Sequence, residues 1–283
     1  MKFTNRQLIV AVIFFAVFAG NLVRYSQRAP RRHYSDWRVY YATGERFIDK
    51  EDIYSRPNEE ITPFMYSPTF AMFFSLLSLI PKHPASLVFF TLNFLSVVGI
   101  FLISRKLIGA QQLTSKQFWI LLFFPILFTS RFILLVWDSG QVNLIMLFLV
   151  MMSLYLLSRK KVLLSSAFMA LSILVKYMPV VFLPYFFIKK QFKLVAGVLL
   201  FILLFSILPA FYVGVEQEIN YLKGWLPFIS DAALDLSSWV DYKNQSIYSM
   251  VLRYTMDLSA YVYSYSHTFL NLSFYQGLGI ALV

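Results

Sequence analysis

Hydrophobic residues gather in eight stretches, at roughly 8–23, 85–103, 118–136, 141–157, 162–175, 178–188, 194–212 and 268–283. A helix needs roughly 20 apolar residues to cross a hydrocarbon core about 30 Å thick, and helices satisfy their backbone polar groups internally there. Several stretches approach that length. The pattern therefore predicts an all-α, polytopic protein with about eight transmembrane helices in a single membrane domain covering 1–283. The interval 162–188 is broken by Lys176, Pro179 and Pro184 and reads as two short, tilted helices turning near Lys176. The segment PTFAMFFSLLSLIP, bounded by Pro68 and Pro81, is too short to span and reads as re-entrant or interfacial.

Two connections are long, roughly 24–84 and 213–267, and both are rich in aromatics. In the first, Ser35 is an N-cap candidate, and Trp37, Tyr40, Tyr41, Gly44, Phe47 and Ile48 follow at helical spacing, with Arg38, Glu45, Arg46 and Asp49 largely elsewhere on the wheel. This predicts an amphipathic helix in the headgroup plane with its rings in the lipid boundary. The second connection alternates Trp225 and Trp239 with Asp231, Asp235, Asp241, Asn244 and Arg253. Aromatic planes suit the CH faces of sugars, and carboxylates and amides suit sugar hydroxyls. A membrane aromatic belt has the same composition, so both readings stand at this point.

Composition agrees with the membrane assignment: 59% of residues are hydrophobic and 19% aromatic, against roughly 45–50% apolar in soluble domains. The net charge of +11 is distributed in a telling way. With a cytoplasmic N-terminus, alternate connections carry Lys2 and Arg6, then Arg105, Lys106 and Lys116, then Arg159, Lys160 and Lys161, then Lys189, Lys190 and Lys193, with no acid among them. All 14 acidic residues fall in or beside the opposite segments, where they balance the other 14 basic ones. The excess is thus a positive-inside signature and not a nucleic-acid footprint. Both long connections then lie outside, and the chemistry is expected there. Nothing in the N-terminal run reads as a cleavable signal, since no small-residue site follows it.

Asp36 is the sharpest candidate. An acid in the first turn of a helix is favoured by the macrodipole with no chemistry implied; alternatively, partly desolvated by its rings, it is a general base for an acceptor hydroxyl. VWDSGQVN, residues 136–143, reads either as a tight turn at Gly140 or as a means of pointing the amides of Gln141 and Asn143 into a cavity. Lys176 either snorkels to headgroups or neutralises a lipid phosphate, a role open to Arg131 and Arg253 as well. YKNQS, residues 242–246, has the form of a glycosylation acceptor. There is no Gly-rich phosphate loop and no cysteine, and the three histidines are far apart, so ATP-driven transport and zinc chemistry are disfavoured. No cofactor is expected.

Taken in order, SDWRVYYATGERF, DIYSRPNEEITPFMYSPTF, the long SGQVNLIMLFLVMMSLYLLSRKKVLLSSAFMALSILVKYMP and YKNQSIYSMVLRY resemble the polyprenol-phosphate-dependent GT-C glycosyltransferases of glycosyltransferase family 87, over roughly residues 8–256. That family includes α-mannosyltransferases. The resemblance implies an inverting transfer in which Asp36 deprotonates an acceptor hydroxyl that attacks C1 of a sugar carried on a polyprenyl phosphate, with no metal or nucleotide. Tyr40, Tyr54 and the YSP at Tyr66 match the family's first-loop pattern. Gln141 and Asn143 match its Gly-Gln turn, Lys176 its Lys-x-x-Pro, and Asn244, Gln245, Ser246 and Arg253 its late Asn-Gln-Ser segment. Tyr40, Tyr66, Gln141, Asn143, Lys176, Asn244, Gln245 and Arg253 are accordingly the expected substrate-binding residues, with Lys176 and Arg253 for the phosphate. The implied partners are a polyprenyl-phosphate sugar donor, a lipid or glycan acceptor and membrane lipids, with no nucleic acid, at the extracytoplasmic face of the plasma membrane. Family members usually carry further C-terminal spans, so a C-terminally truncated or shortened member is expected. A flippase or transporter of lipid-linked sugars, and a non-catalytic membrane scaffold, are the alternatives; mid-membrane charges and repeat symmetry would mark a transporter.

Overall fold

A computed structural model of the chain describes residues 5–31, 35–55, 64–108, 115–234, 246–255, 270, 272 and 276. Among them the regular structure is helical. The chain divides into two compact units, Met1–Trp225 and Leu226–Val283.

In the first unit the helices are α1 (Asn5–Arg28), α2 (Asp36–Ile48), α3 (Pro68–Ser78), α4 (Lys82–Leu107), α5 (Ser115–Ser139), α6 (Asn143–Ser158), α7 (Val162–Val175), α8 (Phe182–Ile188), α9 (Phe192–Ile207) and α10 (Ala210–Val213), followed by α11 (Val215–Leu234), which runs past the boundary. Short 3-10 turns at Ala29–Arg31 and Met178–Val181 follow α1 and precede α8. The second unit contributes α12 (Ile247–Thr255). Among the described residues two helical stretches, α4 (Lys82–Leu107) and α9 with α10 (Phe192–Val213), are long and apolar enough to cross a membrane, with mean hydropathies of 2.3 and 2.7. α1 and α5 have the length, 24 and 25 residues, whereas α3, α6 and α7 are apolar but shorter.

Specific side-chain bonds fix how these helices run. Ser153 Oγ donates to the Ser165 carbonyl and Ser165 Oγ to the Ser153 carbonyl, both at 2.8 Å, so α6 and α7 form an antiparallel hairpin around the Arg159–Lys161 turn. Hydroxyls bonded this way let apolar helices approach closely without stranding a polar group. α7 and α9 run in the same direction: Ser166 Oγ donates to Leu194 near their starts, and near their ends Ser67 Oγ and Thr69 Oγ1 of the α3 N-terminus reach Leu174 and Phe205. The chain from Lys176 to Gln191 must therefore travel back between them, so the interval 162–188 is two helical pieces that reverse at Lys176. α4 and α6 also run the same way, with Gly99 against Phe148 and Lys106 over Tyr155. The result is a unit with two chemically distinct ends. Arg105, Lys106, Arg159, Lys160, Lys161, Lys189, Lys190 and Lys193 gather at one; Asp36, Gln141, Asn143 and Lys176 gather at the other. Between them, Val150, Met169, Ala170, Ile173, Phe186, Leu194 and Val198 form an apolar core.

α2 departs from expectation in what covers it. Its apolar face was expected in lipid, yet Trp37, Tyr40, Tyr41 and Phe47 are all 5% exposed or less. α3 packs against that face: Tyr41 Oη donates to the Ile80 carbonyl at 2.8 Å, Ser78 Oγ donates back to Tyr41, and Gly44 leaves room for Ser78 to come close. Phe47 stacks on Tyr212 and lies against Tyr221. Protein rings, not acyl chains, absorb the amphipathic face. α3 itself owes its place to Ser67, which caps the helix by accepting from Phe70 N at 3.1 Å while donating to Leu174 O at 2.6 Å.

Candidate functional site

The end of the first unit that carries Asp36 is built around a tight turn. α5 closes at Ser139, Gly140 adopts φ +67°, and α6 begins three residues later at Asn143. Left-handed backbone of this kind favours glycine, and space demands it too: a Cβ at Gly140 would stand 2.7 Å from Ser35 Oγ and 2.8 Å from Trp37 Cβ. The turn thus lies directly against the residues on either side of Asp36. Arg28 and Asp138, ion-paired at 4.0 Å, join α1 to the same turn.

From there a directed chain of hydrogen bonds crosses the site. Lys176 Nζ donates to Asn143 Oδ1 at 2.8 Å, Asn143 Nδ2 donates to Gln141 Oε1 at 2.6 Å, and Gln141 bonds the Asp36 carboxylate. Each amide accepts through oxygen and donates through nitrogen, so one orientation satisfies the whole series from ammonium to carboxylate. The two charges are held apart at the ends of a bridge and are not collapsed into an ion pair. Burial raises the Asp36 carboxyl above its ordinary range, opposed by the Lys176 charge and the Gln141 bond; burial lowers Lys176, opposed by Asp36. Desolvation is the larger effect on both.

A second chain flanks the first. The Val142 backbone N–H donates to the Tyr40 hydroxyl, which donates to Tyr66 Oη at 2.8 Å. With Tyr40 as the donor of that bond, the Tyr66 hydroxyl keeps its own hydrogen for a further acceptor. Burial pushes Tyr40 well up and Tyr66 up to about 12, with Asp36 adding to both. Tyr54 Oη donates to the Tyr66 carbonyl at 2.8 Å and ties in the loop between α2 and α3.

Directly beneath lies an apolar groove of about 250 Å³. Phe70, Phe73, Phe74 and Leu77 of α3, Phe89 and Leu92 of α4, Ile145 and Leu149 of α6 and Leu171 of α7 line it, and Val142 and Val175 form its rim beside Gln141 and Lys176.

Six expected residues, Asp36, Tyr40, Tyr66, Gln141, Asn143 and Lys176, therefore come together from four separate parts of the chain. Arg253 sits in the last turn of α12, in the second unit. Asn244 and Gln245 lie outside the described residues. Glu218 is a group the sequence did not single out. It is 4% exposed, both carboxylate oxygens lack a hydrogen-bond partner among the described residues, and burial raises its pKa to about 8. The available signal was its position, one face of α11 shared with Tyr221 and Trp225. Among the described residues no group of three or more His, Cys, Asp or Glu side chains is placed to hold a metal ion.

The sequence profile of glycosyltransferase family 87 matches residues 64–282. No curated protein matches the chain, and no solved structure does.

Proposed function

The chain belongs to glycosyltransferase family 87 and is a membrane glycosyltransferase, and from that premise we propose that it transfers mannose from a polyprenyl-phosphate donor to a lipid or glycan acceptor, with inversion and with Asp36 as general base. The observation that carries this reading is the bridge from Lys176 through Asn143 and Gln141 to Asp36, set at the rim of an apolar groove. A carboxylate lifted by burial is a better base near neutrality than a solvated one. A cation held away from it can meet a phosphate without quenching the base. The groove offers isoprenoid carbon a surface at the depth where the phosphate would sit beside Lys176.

In the proposed step the acceptor oxygen forms its bond to C1 as its proton passes to Asp36. The C1–O bond to phosphate breaks, and the electron pair leaves with the lipid phosphate, whose charge Lys176 and the Tyr66 hydroxyl stabilise. Tyr40, Gln141 and Asn143 orient these groups. The basic residues at the opposite end of the unit favour an extracytoplasmic site by the positive-inside rule. The test incubates membranes containing the protein with polyprenyl-phosphate mannose and follows the product by mass spectrometry. A mannosylated acceptor is expected from wild type and none from Asp36→Asn. Wild-type turnover by Asp36→Asn at equal expression would overturn the assignment.

A further inference from the structure

The opposite end of the first unit holds an arrangement that sugar transfer does not use. Lys106 ends α4 and Arg159 follows α6, and both converge on one tyrosine: Lys106 Nζ is 5.3 Å and Arg159 Cζ 5.5 Å from the Tyr155 ring centroid. The electrostatic influence of both reaches the Tyr155 hydroxyl. A phenol oxygen has two acceptor positions and one hydrogen. The hydroxyl thus has a hydrogen to donate, beside two positive charges gathered on one ring.

Among the described residues no carboxylate offsets those charges. The sequence contains no Asp or Glu from Ser139 to Val215, and among the described residues neither Lys106 nor Arg159 pairs with a carboxylate. Two cations gathered on one ring repel, and an anion beside them would relieve that repulsion. The surroundings identify its source. Leu102 and Leu95 precede Lys106 by four and eleven residues on the same face of α4, and both are exposed. Ile108, just past the helix, is 69% exposed. An apolar lane ending in a cationic clamp fits a molecule with a long hydrocarbon part and an anionic head, whereas free phosphate would use only the clamp.

We propose that Lys106, Tyr155 and Arg159 bind the phosphate of an anionic phospholipid whose acyl chains lie along Leu95 and Leu102. The ammonium supplies charge, the guanidinium a two-pronged donor and the tyrosine a third donor. This site is independent of the transfer chemistry.

The test uses the full chain, purified and delipidated in a mild detergent, with short-chain phosphatidylglycerol, short-chain phosphatidylcholine and inorganic phosphate as probes, binding being read by native mass spectrometry. Wild type is expected to retain phosphatidylglycerol over phosphatidylcholine. A direct ion pair with the phosphate at an exposed site contributes up to about fivefold, so the double variant Lys106→Gln with Arg159→Gln, which loses two such contacts, is expected to bind up to about 25-fold more weakly. Lys190→Gln with Lys193→Gln removes two charges from the same end and is expected to bind as wild type. Tyr155→Phe keeps the ring and both cation contacts, and so guards against misfolding of the double variant; it is expected to weaken binding severalfold. Unchanged binding by both Tyr155→Phe and the Lys106/Arg159 variant overturns the site, as does equal loss in the Lys190/Lys193 variant. Equal retention of phosphatidylcholine, or displacement of the lipid by comparable concentrations of inorganic phosphate, overturns the lipid assignment.

Discussion

Replacing Gly140 with alanine perturbs the site without touching any group proposed to act in it. The residue holds φ +67°, and the added methyl would lie 2.7 Å from Ser35 Oγ, 2.8 Å from Trp37 Cβ and 3.1 Å from Trp37 N. The left-handed backbone costs about 1–2 kcal/mol, and crowding a packed contact costs about 1–3 kcal/mol. Together these lower the melting temperature by roughly 10 °C. Ser35 and Trp37 flank Asp36, and Gln141 follows Gly140, so relief of the clash moves both partners of one hydrogen bond. A displacement near 1 Å reduces a positioned reaction by about 100-fold, and transfer per folded molecule should drop on that order. Gly214→Ala is the control: φ is +91°, yet nothing lies within 4 Å of the added carbon. It shares the strain and not the clash, so it should lose stability and keep turnover. Thermal unfolding in detergent and mannose transfer, measured on both variants, separate the two effects. Full transfer by folded Gly140→Ala, or equal loss in Gly214→Ala, would refute the argument that this turn positions Asp36.

Burial lifts Asp36 and lowers Lys176, so transfer should rise with pH through an apparent value above the ordinary carboxylate range and fall again below the ordinary lysine range; a flat profile across both limbs counts against the pair. Lys176→Gln should raise KM for the polyprenyl-phosphate donor tenfold or more while sparing the fold, and an unchanged donor KM would remove Lys176 from the phosphate site. Glu218 carries a pKa of about 8 against an ordinary 4.5. Between those values the folded chain keeps a proton the unfolded chain has lost, so stability falls as pH rises through that window and then levels. With solvent screening allowed for, the loss by pH 9 is of order 2 kcal/mol. Glu218→Gln should flatten that slope in melting curves taken from pH 6 to 9, and an unaltered slope would show that another group carries it.

Much of this was legible in the chain because its signals are local. The helix from Asp36 to Ile48 follows from the spacing of its rings and starts after Ser35 as expected, although the Ser35 side chain makes no capping bond, and the reversal at Lys176 follows from two prolines and the charges that bracket them. The turn at Gly140 announced itself as well. What the rings of α2 would face was not legible, since lipid and protein reward the same apolar stripe, and only the docking of α3 through Tyr41 and Ser78 decides between them. The bridge from Lys176 to Asp36 joins residues 140 positions apart, a pairing that local pattern does not encode. Span length was read least well where polar residues extend a helix past its apolar run: α4 and α5, at 26 and 25 residues, outrun the stretches 85–103 and 118–136, whereas α7 coincides with the stretch 162–175.

Val142 belongs to two environments at once. Its amide hydrogen fixes the Tyr40 hydroxyl, and its side chain forms part of the groove wall. The polar chemistry and the hydrocarbon surface are therefore rigidly registered through one residue, with no flexible element between them. A donor would be measured by the separation of its charged and isoprenoid parts, as on a ruler whose zero is a single valine. A water-soluble sugar phosphate with the same head would find only half of the scale, and a lipid whose first carbons are too bulky for the groove wall would be held out of register with Asp36.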